Sequence, residues 1–367
     1  MDINKLYYGK IIQAVCIDVP IFLLIFNFVL YSVFEIENYK NILRIIAFSL
    51  FLIGWLINGV YKVTLEQFIT FFLIMMLLLV QGTSALNFLA VFIFAFSTSI
   101  NLKKLVKKIF LTNIFFTLII MSCIYLSIIS TNSYVDSVGR MRNAMGFLNP
   151  NAGAIFYSSL IYLYILSKDK IRIRDYVLGF SLNVYIFSFT DSRTAFLSLT
   201  LFLLLIPILN KTINIYVTKI SILLLNDVIW LAGIISLFTI NILSNFDAVL
   251  SNRISNYIQL IDQFTFSTFF FGGGELQEIT IDNFYLVFLY QSGIFIYLLT
   301  MYLVHKKTKI LIECRETRIL AFFISIFLMG LTESSFIRPE IPITLILWKV
   351  LLGSNSLNVI EKFSSRR

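Results

Sequence analysis

The sequence predicts an all-α, polytopic integral membrane protein with about twelve transmembrane helices. Its 367 residues are 59% hydrophobic and only 13% charged, and the mean hydropathy is +0.89. Soluble globular chains are about 45–50% apolar and about 25% charged. The composition therefore excludes a soluble single domain, and it excludes a nucleic-acid-binding protein in spite of the net charge of +9. Two further observations, recurring apolar runs and the placement of lysines between them, lead to the same fold class.

The apolar runs are bounded by charged or turn residues, and each is close to the roughly 20 residues that cross a hydrocarbon core. No charged leader with a small-residue cleavage site precedes the first run, which predicts a retained anchor. The three cysteines lie in or beside apolar runs and give no disulfide framework. The predicted spans are 11–33, 43–61, 65–81, 84–100, 109–129, 151–167, 176–190, 194–210, 220–243, 284–304, 319–335 and 341–357. Together they predict one transmembrane domain over 1–367.

The basic residues orient these spans. Twelve spans put both termini on one side, and the segments of that side contain 21 lysines and arginines against 7 on the other. The positive-inside rule predicts that the first side, with both termini, is cytoplasmic in a bacterial inner membrane. Lysine outnumbers arginine 15 to 6 inside, whereas six of the seven outer residues are arginine. Because the arginine fork binds phosphate or carboxylate bidentately, the outer face is expected to bind an anion; membrane anchoring or pairing with nearby acids is the alternative.

The first of two larger outer loops, about 130–150, contains two arginines and an Asn-Pro-Asn turn. Arg142 is a candidate anion-binding residue. Arg140 ranks second as a substrate-binding residue, because a two-residue spacing does not place both on one helical face. Asn149 and Asn151 are candidate substrate-binding residues, and the alternative is a helix start, since Pro150 suits the first turn of a helix.

The second outer loop, about 244–283, begins with Arg253 and ends with Asp282 and Asn283. An amphipathic, aromatic-rich stretch at 257–271 is expected to lie in the headgroup plane. The glycine run that follows includes Gly273, whose backbone N–H is a candidate phosphate donor. A flexible turn is the alternative for that run.

The short connection 190–193 is the sharpest local feature. Asp191 or Ser192 is expected to cap the following span. Arg193 then falls in the first helical turn, where a cation opposes the helix dipole. A bound anion would stabilise this arrangement, which makes Arg193 a candidate functional residue.

Other titratable residues lie within or at the ends of spans. Glu333 ends the eleventh span on the outer side, and a salt bridge to Arg338 is the alternative to a functional role. Asp18 and Asp227 fall inside spans, where each is a proton-relay candidate or is satisfied by asparagine or serine on neighbouring helices. His305, the only histidine, is expected to be a cytoplasmic surface residue. The sequence contains no metal-ligand spacing, Walker loop or Ser-His-acid arrangement.

Four segments, in this order and on the same predicted side, carry a family resemblance. They read RMRNAMGFLNPN, FTDSRTAFLSL, SNRISNY and FFFGGGELQEITIDNFYLVFLYQSGIF, and the later TESS also fits. Together they span about the second two-thirds of the chain. This set resembles the Wzy-type polymerases of O-antigen and capsule repeat units, within the O-antigen ligase superfamily.

The resemblance implies a glycosyltransferase that joins undecaprenyl-diphosphate-linked oligosaccharide repeat units at the outer face of the cytoplasmic membrane. Both donor and acceptor are lipid-linked, and a flippase and a chain-length regulator are the expected protein partners. Superfamily ligases have a histidine in the large outer loop, where this chain has Asp282 and Asn283, which favours a polymerase. A ligase, or a lipid-linked oligosaccharide flippase, is the alternative.

Such a reaction assigns roles to the candidate residues. Arg142, Arg193 and Arg253 are expected to hold the diphosphate leaving group. Asp282 or Glu333 is expected to position or deprotonate the acceptor hydroxyl. The arginines supply the positive charge, so transfer is predicted to need neither metal nor cofactor.

Overall fold

The computed structural model describes residues 14–58, 69, 72, 101–131, 133–135, 139–239, 253–273 and 281–353, most of which are helical. One antiparallel hairpin is formed by β1 (Ser133–Val135) and β2 (Met141–Asn143). The helices are α1 (Ala14–Val33, opening with a π-helical turn), α2 (Lys40–Asn58), α3 (Leu102–Tyr125), α4 (Pro150–Ser167), α5 (Ile173–Thr190), α6 (Arg193–Thr212), α7 (Tyr216–Thr239), α8 (Arg253–Asp262), α9 (Phe266–Phe271), α10 (Phe284–Glu313), α11 (Thr317–Met329) and α12 (Pro342–Leu352).

Six of these helices are long and apolar enough to cross a membrane, namely α1, α2, α3, α6, α7 and α10. The prediction of a helical, membrane-embedded protein is confirmed at this level, and the number of twelve spans stays a prediction. Two predicted spans, 65–81 and 84–100, lie outside the described residues apart from positions 69 and 72. The other ten each overlap a helix.

The hairpin was not predicted. It occupies the first outer loop, and its register places Tyr134 opposite Arg142. Strands of three residues show no recognisable alternation of polar and apolar positions, so the sequence alone does not indicate them. The hairpin matters for function because it decides where the arginines of this loop point.

The chain divides into two compact units, each built from separated segments, and the prediction of a single transmembrane domain stays a prediction. Unit 1 contains the described parts of 1–62, 90–205 and 338–367. Within it α1 packs on α2 and α3, α4 packs between α3 and α5, and α12 contacts α3 and α4.

The end of the first outer loop is attached firmly to the helices of unit 1. The Phe147 ring lies 5.9 Å from that of Phe28 in α1 and 5.2 Å from that of Phe156 in α4. The Leu148 N–H donates to the Ser32 carbonyl at 2.8 Å. Burial of three phenylalanine rings contributes several kcal/mol at about 25 cal/mol per Å². The loop that carries Arg140 and Arg142 is therefore held against α1 and α4 at its C-terminal end.

Unit 2 contains the described parts of 63–89 and 206–337, with α10 packed against α7, α9 and α11. Its core surrounds Trp230, whose ring meets several other aromatic rings edge-on. The Tyr297 hydroxyl donates to the Trp230 carbonyl at 2.6 Å. The surrounding rings are those of Phe284, Tyr285, Phe288, Tyr297 and Phe327.

Helix α10 is broken at Gly293, which has a φ of +74°. A Cβ atom at this position would lie 2.5 Å from the Phe270 carbonyl oxygen and 2.6 Å from the Gly272 nitrogen. The Gly273 N–H donates to the Gln291 carbonyl at 3.3 Å, next to the break. Glycine is thus required here for both conformation and close approach, and it holds the end of α9 against α10.

The two acids that the sequence places within spans are paired with basic residues. Lys108 Nζ lies 2.5 and 2.7 Å from the two carboxylate oxygens of Asp18 in unit 1. In unit 2, His305 Nδ1 lies 3.0 Å from both carboxylate oxygens of Asp227. The partners are thus a lysine and a histidine instead of the asparagine or serine of the second alternative, and the relay alternative stays a prediction. His305 is also more than a surface residue, because it joins α10 to α7.

Candidate functional site

The turn between α5 and α6 is the centre of a candidate site in unit 1. Asp191 ends α5 in a left-handed conformation, with a φ of +43°. Ser192 precedes the first residue of α6, and its carbonyl accepts from the Phe196 N–H at 3.1 Å. The predicted side-chain caps do not form within the described part of the chain: Asp191 accepts from Arg140, and the buried Ser192 hydroxyl has no partner there.

Arg142 is fixed beside this turn by two hydrogen bonds. Its Nε donates to the Thr190 carbonyl at 2.8 Å, and its Nη2 donates to Asn151 Oδ1 at 2.6 Å. The side chain is half-buried. Because hydrogen bonds from an ionised donor are stronger than neutral ones, the guanidinium plane has one preferred orientation.

Arg140 reaches the same turn. Its Nη1 lies 3.1 Å from Asp191 Oδ2, with both side chains about one-third exposed. Arg140 was ranked below Arg142 because residues two apart do not share one face of a helix. That argument is wrong here, because the segment is extended and residues two apart along a strand point to the same side. Arg140 directly precedes β2, so it and Arg142 both face the α5–α6 turn.

Arg193 is exposed at the first residue of α6 and forms no ion pair with the residues that the structure describes. Arg140 and Arg142 therefore contact the connection 190–193, and Arg193 lies at its end. Arginines gathered at a helix N-terminus are the arrangement expected of an anion site.

The two asparagines of the first loop have different structural roles. Asn149 Oδ1 accepts from the Asn151 N–H at 2.8 Å, with Pro150 as the first residue of α4, so Asn149 is a helix cap. This outcome confirms the helix-start alternative for Asn149. Asn151 instead positions Arg142, a role that the sequence did not indicate, since a separation of nine residues predicts no contact.

A second candidate site, described by itself, lies in unit 2 where α8 meets the start of α10. Arg253 Nη2 lies 3.3 Å from Asp282 Oδ2. Burial raises the pKa of the Asp282 carboxyl above its ordinary value, and the neighbouring Arg253 charge offsets part of that rise. Asp282 is consequently a stronger base than an exposed aspartate.

Tyr257 and Glu333 complete this group. Burial raises the pKa of Tyr257 to about 12; the positive charge of Arg253 lowers it, and the negative charges of Asp282 and Glu333 raise it. Glu333 itself is buried. Whether it pairs with Arg338, which belongs to unit 1, stays a prediction. Sequence reasoning missed Tyr257, although its place one turn after Arg253 on an amphipathic helix was a usable signal.

Two other predicted substrate-binding residues use their polar groups within the protein. Asn283 Oδ1 accepts from the Tyr285 and Leu286 N–H groups at 3.0 and 3.1 Å and so caps α10. The Gly273 N–H is taken by Gln291, and the Gly272 N–H donates to the Thr268 carbonyl at 2.9 Å. Gly274 lies outside the described residues. These contacts favour the turn alternative for the described part of the glycine run.

Groups of three or more His, Cys, Asp or Glu able to hold a metal ion are absent from the described ranges. Two groups of the predicted site residues do come together. Arginines lie around the α5–α6 turn, and the Arg253–Asp282 pair lies just before the first residue of α10. Compared with protein families, with curated proteins and with solved structures, the chain gives no match.

Proposed function

We propose that this protein is a glycosyltransferase that polymerises undecaprenyl-diphosphate-linked oligosaccharide repeat units at the outer face of a bacterial cytoplasmic membrane. In this proposal twelve spans place both termini in the cytoplasm, and a flippase and a chain-length regulator are the partners. The observation that carries the proposal is the convergence of Arg140, Arg142 and Arg193 on one turn at a helix N-terminus.

The proposed reaction needs stabilisation of a leaving group. The bond between the anomeric carbon of the donor chain and its lipid diphosphate breaks, and the electron pair stays on the diphosphate. Positive groups already held in place stabilise that charge without reorganising during the reaction. Arg142 is held in this way by Thr190 and Asn151, while the exposed Arg193 is accessible to the diphosphate.

The acceptor hydroxyl forms the new bond to the anomeric carbon and must lose its proton. Asp282 is our candidate base, because a raised pKa brings a carboxylate nearer to the working pH, where general bases are most effective. Tyr257, with a pKa of about 12, stays protonated at neutral pH and remains a hydrogen-bond donor. Glu333 is the second candidate base.

For the ligase alternative, Asp282 and Asn283 stand where the resemblance places the ligase histidine.

The deciding experiment is the length distribution of lipid-linked glycan in cells that lack the protein. We expect single repeat units on the outer side, with polymer restored by the gene. Long polymer that is still attached to its lipid would indicate a ligase. Single units retained on the cytoplasmic side would indicate a flippase.

Reconstitution tests the role of the arginines. Purified protein in liposomes with lipid-linked repeat units is expected to polymerise in the presence of EDTA. Arg193→Lys and Arg253→Lys keep the charge but lose the planar fork, so both are expected to slow polymerisation about tenfold or more. Arg174→Lys, at an exposed arginine in α5, is the matched control. Full activity in both Arg193→Lys and Arg253→Lys would refute bidentate binding of the diphosphate.

A further inference from the structure

The start of α3 and the loop that follows α4 carry a group of basic side chains in unit 1. Residues 103–108 and 168–172 contain six lysines and one arginine against a single acid, Asp169. The exposed Asp169 forms an ion pair with Lys103, so the loop lies beside the start of α3. The group shares no residue with the α5–α6 turn, and the proposed reaction does not use it.

Three of the seven basic residues lie beside a carboxylate. The pairs are Lys103 with Asp169, Lys108 with Asp18, and Lys168 with Asp175. The other four are exposed and form no ion pair with the residues that the structure describes, namely Lys104, Lys107, Lys170 and Arg172. The group therefore carries an excess of positive charge that the described part of the chain does not neutralise.

The loop after α4 is held in place by the buried Asp175. Its Oδ1 accepts from the Tyr164 hydroxyl at 2.6 Å, and its Oδ2 accepts from the Arg172 N–H at 2.8 Å. At the other end of the loop, Lys168 Nζ lies 4.2 Å from the centre of the Tyr164 ring. Because both ends are fixed, the exposed basic residues of the loop keep a set place beside α3.

The two exposed lysines of α3 continue a stripe of exposed apolar side chains. The stripe consists of Leu111, Phe115 and Leu118, which are 64%, 48% and 61% exposed. Lys104 and Lys107 extend it with the same spacing of three or four residues, so all five lie on one face of the helix. In a membrane-spanning helix such a face contacts lipid tails, and the ammonium groups then lie at the level of the headgroups.

A similar stripe begins directly after Arg172. It consists of residues on one face of α5, namely Ile173, Val177, Phe180 and Val184, all of which are exposed. Because α4 packs between α3 and α5, basic residues precede an exposed apolar stripe on both sides of α4. A lipid contacts both the charges and the stripes, whereas a soluble protein partner contacts the charges alone.

We propose that anionic phospholipids bind to a surface formed by four basic residues, Lys104, Lys107, Lys170 and Arg172. The phosphate oxygens accept hydrogen bonds from the ammonium and guanidinium groups, and the acyl chains lie along the stripes of α3 and α5. A zwitterionic headgroup brings a positive charge that the four cations repel, so it binds less tightly. In the predicted topology these lipids belong to the cytoplasmic leaflet.

Native mass spectrometry of the purified full-length protein in neutral detergent measures this binding. The probes are dioleoylphosphatidylglycerol and, as the zwitterionic lipid, dioleoylphosphatidylcholine. Two double variants remove the charges of α3 or of the loop, namely Lys104→Gln with Lys107→Gln, and Lys170→Gln with Arg172→Gln. Because one basic residue near an anionic lipid changes the affinity about fivefold, each double variant should weaken phosphatidylglycerol binding about tenfold or more. All four residues are exposed, so the melting temperatures should stay close to that of the wild type.

The matched control is the double variant Lys211→Gln with Lys219→Gln. These lysines lie in the last turn of α6 and the first turn of α7, outside the group, and form no ion pair with the described residues. Phosphatidylglycerol binding should therefore weaken far less than in the other two double variants, and phosphatidylcholine binding should be similar in all of them.

Unchanged phosphatidylglycerol binding in both test variants would overturn the proposal, as would an equal loss in the control. Tighter binding of polyglutamate than of phosphatidylglycerol would also overturn it and would indicate an acidic protein partner. Because the readout is lipid binding, this inference and the polymerase proposal can fail separately.

Discussion

Replacing Asn151 with alanine tests whether the polymerase depends on a positioned arginine. Arg142 donates to the Thr190 carbonyl at 2.8 Å and to Asn151 Oδ1 at 2.6 Å. Asn151→Ala removes the second of these hydrogen bonds and so loosens the orientation of the guanidinium. Alanine is the best helix former and Asn151 is only half-buried in the first turn of α4, so the fold should be retained.

The size of the effect follows from the lost bond. A hydrogen bond that involves a charged group is worth about 1.5–3 kcal/mol, and about 1.4 kcal/mol corresponds to a tenfold change in rate. If Arg142 must be oriented to stabilise the leaving diphosphate, polymerisation should slow roughly 10- to 150-fold. The melting temperature should change little.

The assay is the initial rate of polymerisation in liposomes, normalised to folded protein. Asn101→Ala is the control, because Asn101 is an asparagine of the same unit whose side chain caps α3 by accepting from the Lys103 N–H at 2.9 Å. Loss of such a cap lowers stability by about 1 kcal/mol and should leave the normalised rate unchanged. A rate for Asn151→Ala above half that of the wild type, or an equal loss in Asn101→Ala, would refute the positioning role.

Three other predictions concern unit 2. Arg253→Gln removes the charge that lowers the pKa of Asp282, so the acidic limb of the pH–activity profile should move to higher pH; a shift to lower pH would contradict Asp282 as the base. Gly293→Ala places a Cβ 2.5 Å from the Phe270 carbonyl oxygen at a φ of +74°. It should destabilise the protein by about 2 kcal/mol or more and lower the melting temperature. The control is Gly139→Ala, at a φ of +79° with no neighbouring atom within 4 Å, which should cost less. Asp227→Asn and His305→Gln should each lower the free energy of unfolding. In a thermal double-mutant cycle, the loss in the double variant should be smaller than the sum of the two single losses by about 0.5–3 kcal/mol. Strict additivity would show that the pair does not interact.

The helices could be predicted from the sequence because burial in lipid requires long apolar runs with satisfied backbones. The predicted span 151–167 matches α4 at Pro150–Ser167, and the predicted end at 190 matches α5. The cap of α4 could also be predicted from local sequence, because Asn149 is followed by Pro150, which suits the first turn of a helix.

The contacts that give the candidate site its geometry were not accessible in this way. Asp227 and His305 are 78 residues apart, and Arg44 and Glu340 are 296 apart, so their pairing depends on which helices pack together. The role of Gly293 depends on the approach of Phe270, because a single glycine in an apolar run is otherwise tolerated in a helix. Local patterns predict elements, whereas partner choice is set by tertiary packing.

The break in α10 lies inside the part of this helix that is apolar enough to cross a bilayer. Charged residues begin at His305, so the apolar part is 284–304, which is about 30 Å long like the hydrocarbon core, while 305–313 extends beyond it. The piece before the break, 284–292, has side chains that are nearly all buried in protein. Within a bilayer an interrupted backbone is tolerated where protein covers it, and here the end of α9 lies against Gly293. Gly293 therefore lets one continuous segment serve both as a candidate membrane span and as a buried support next to Asp282.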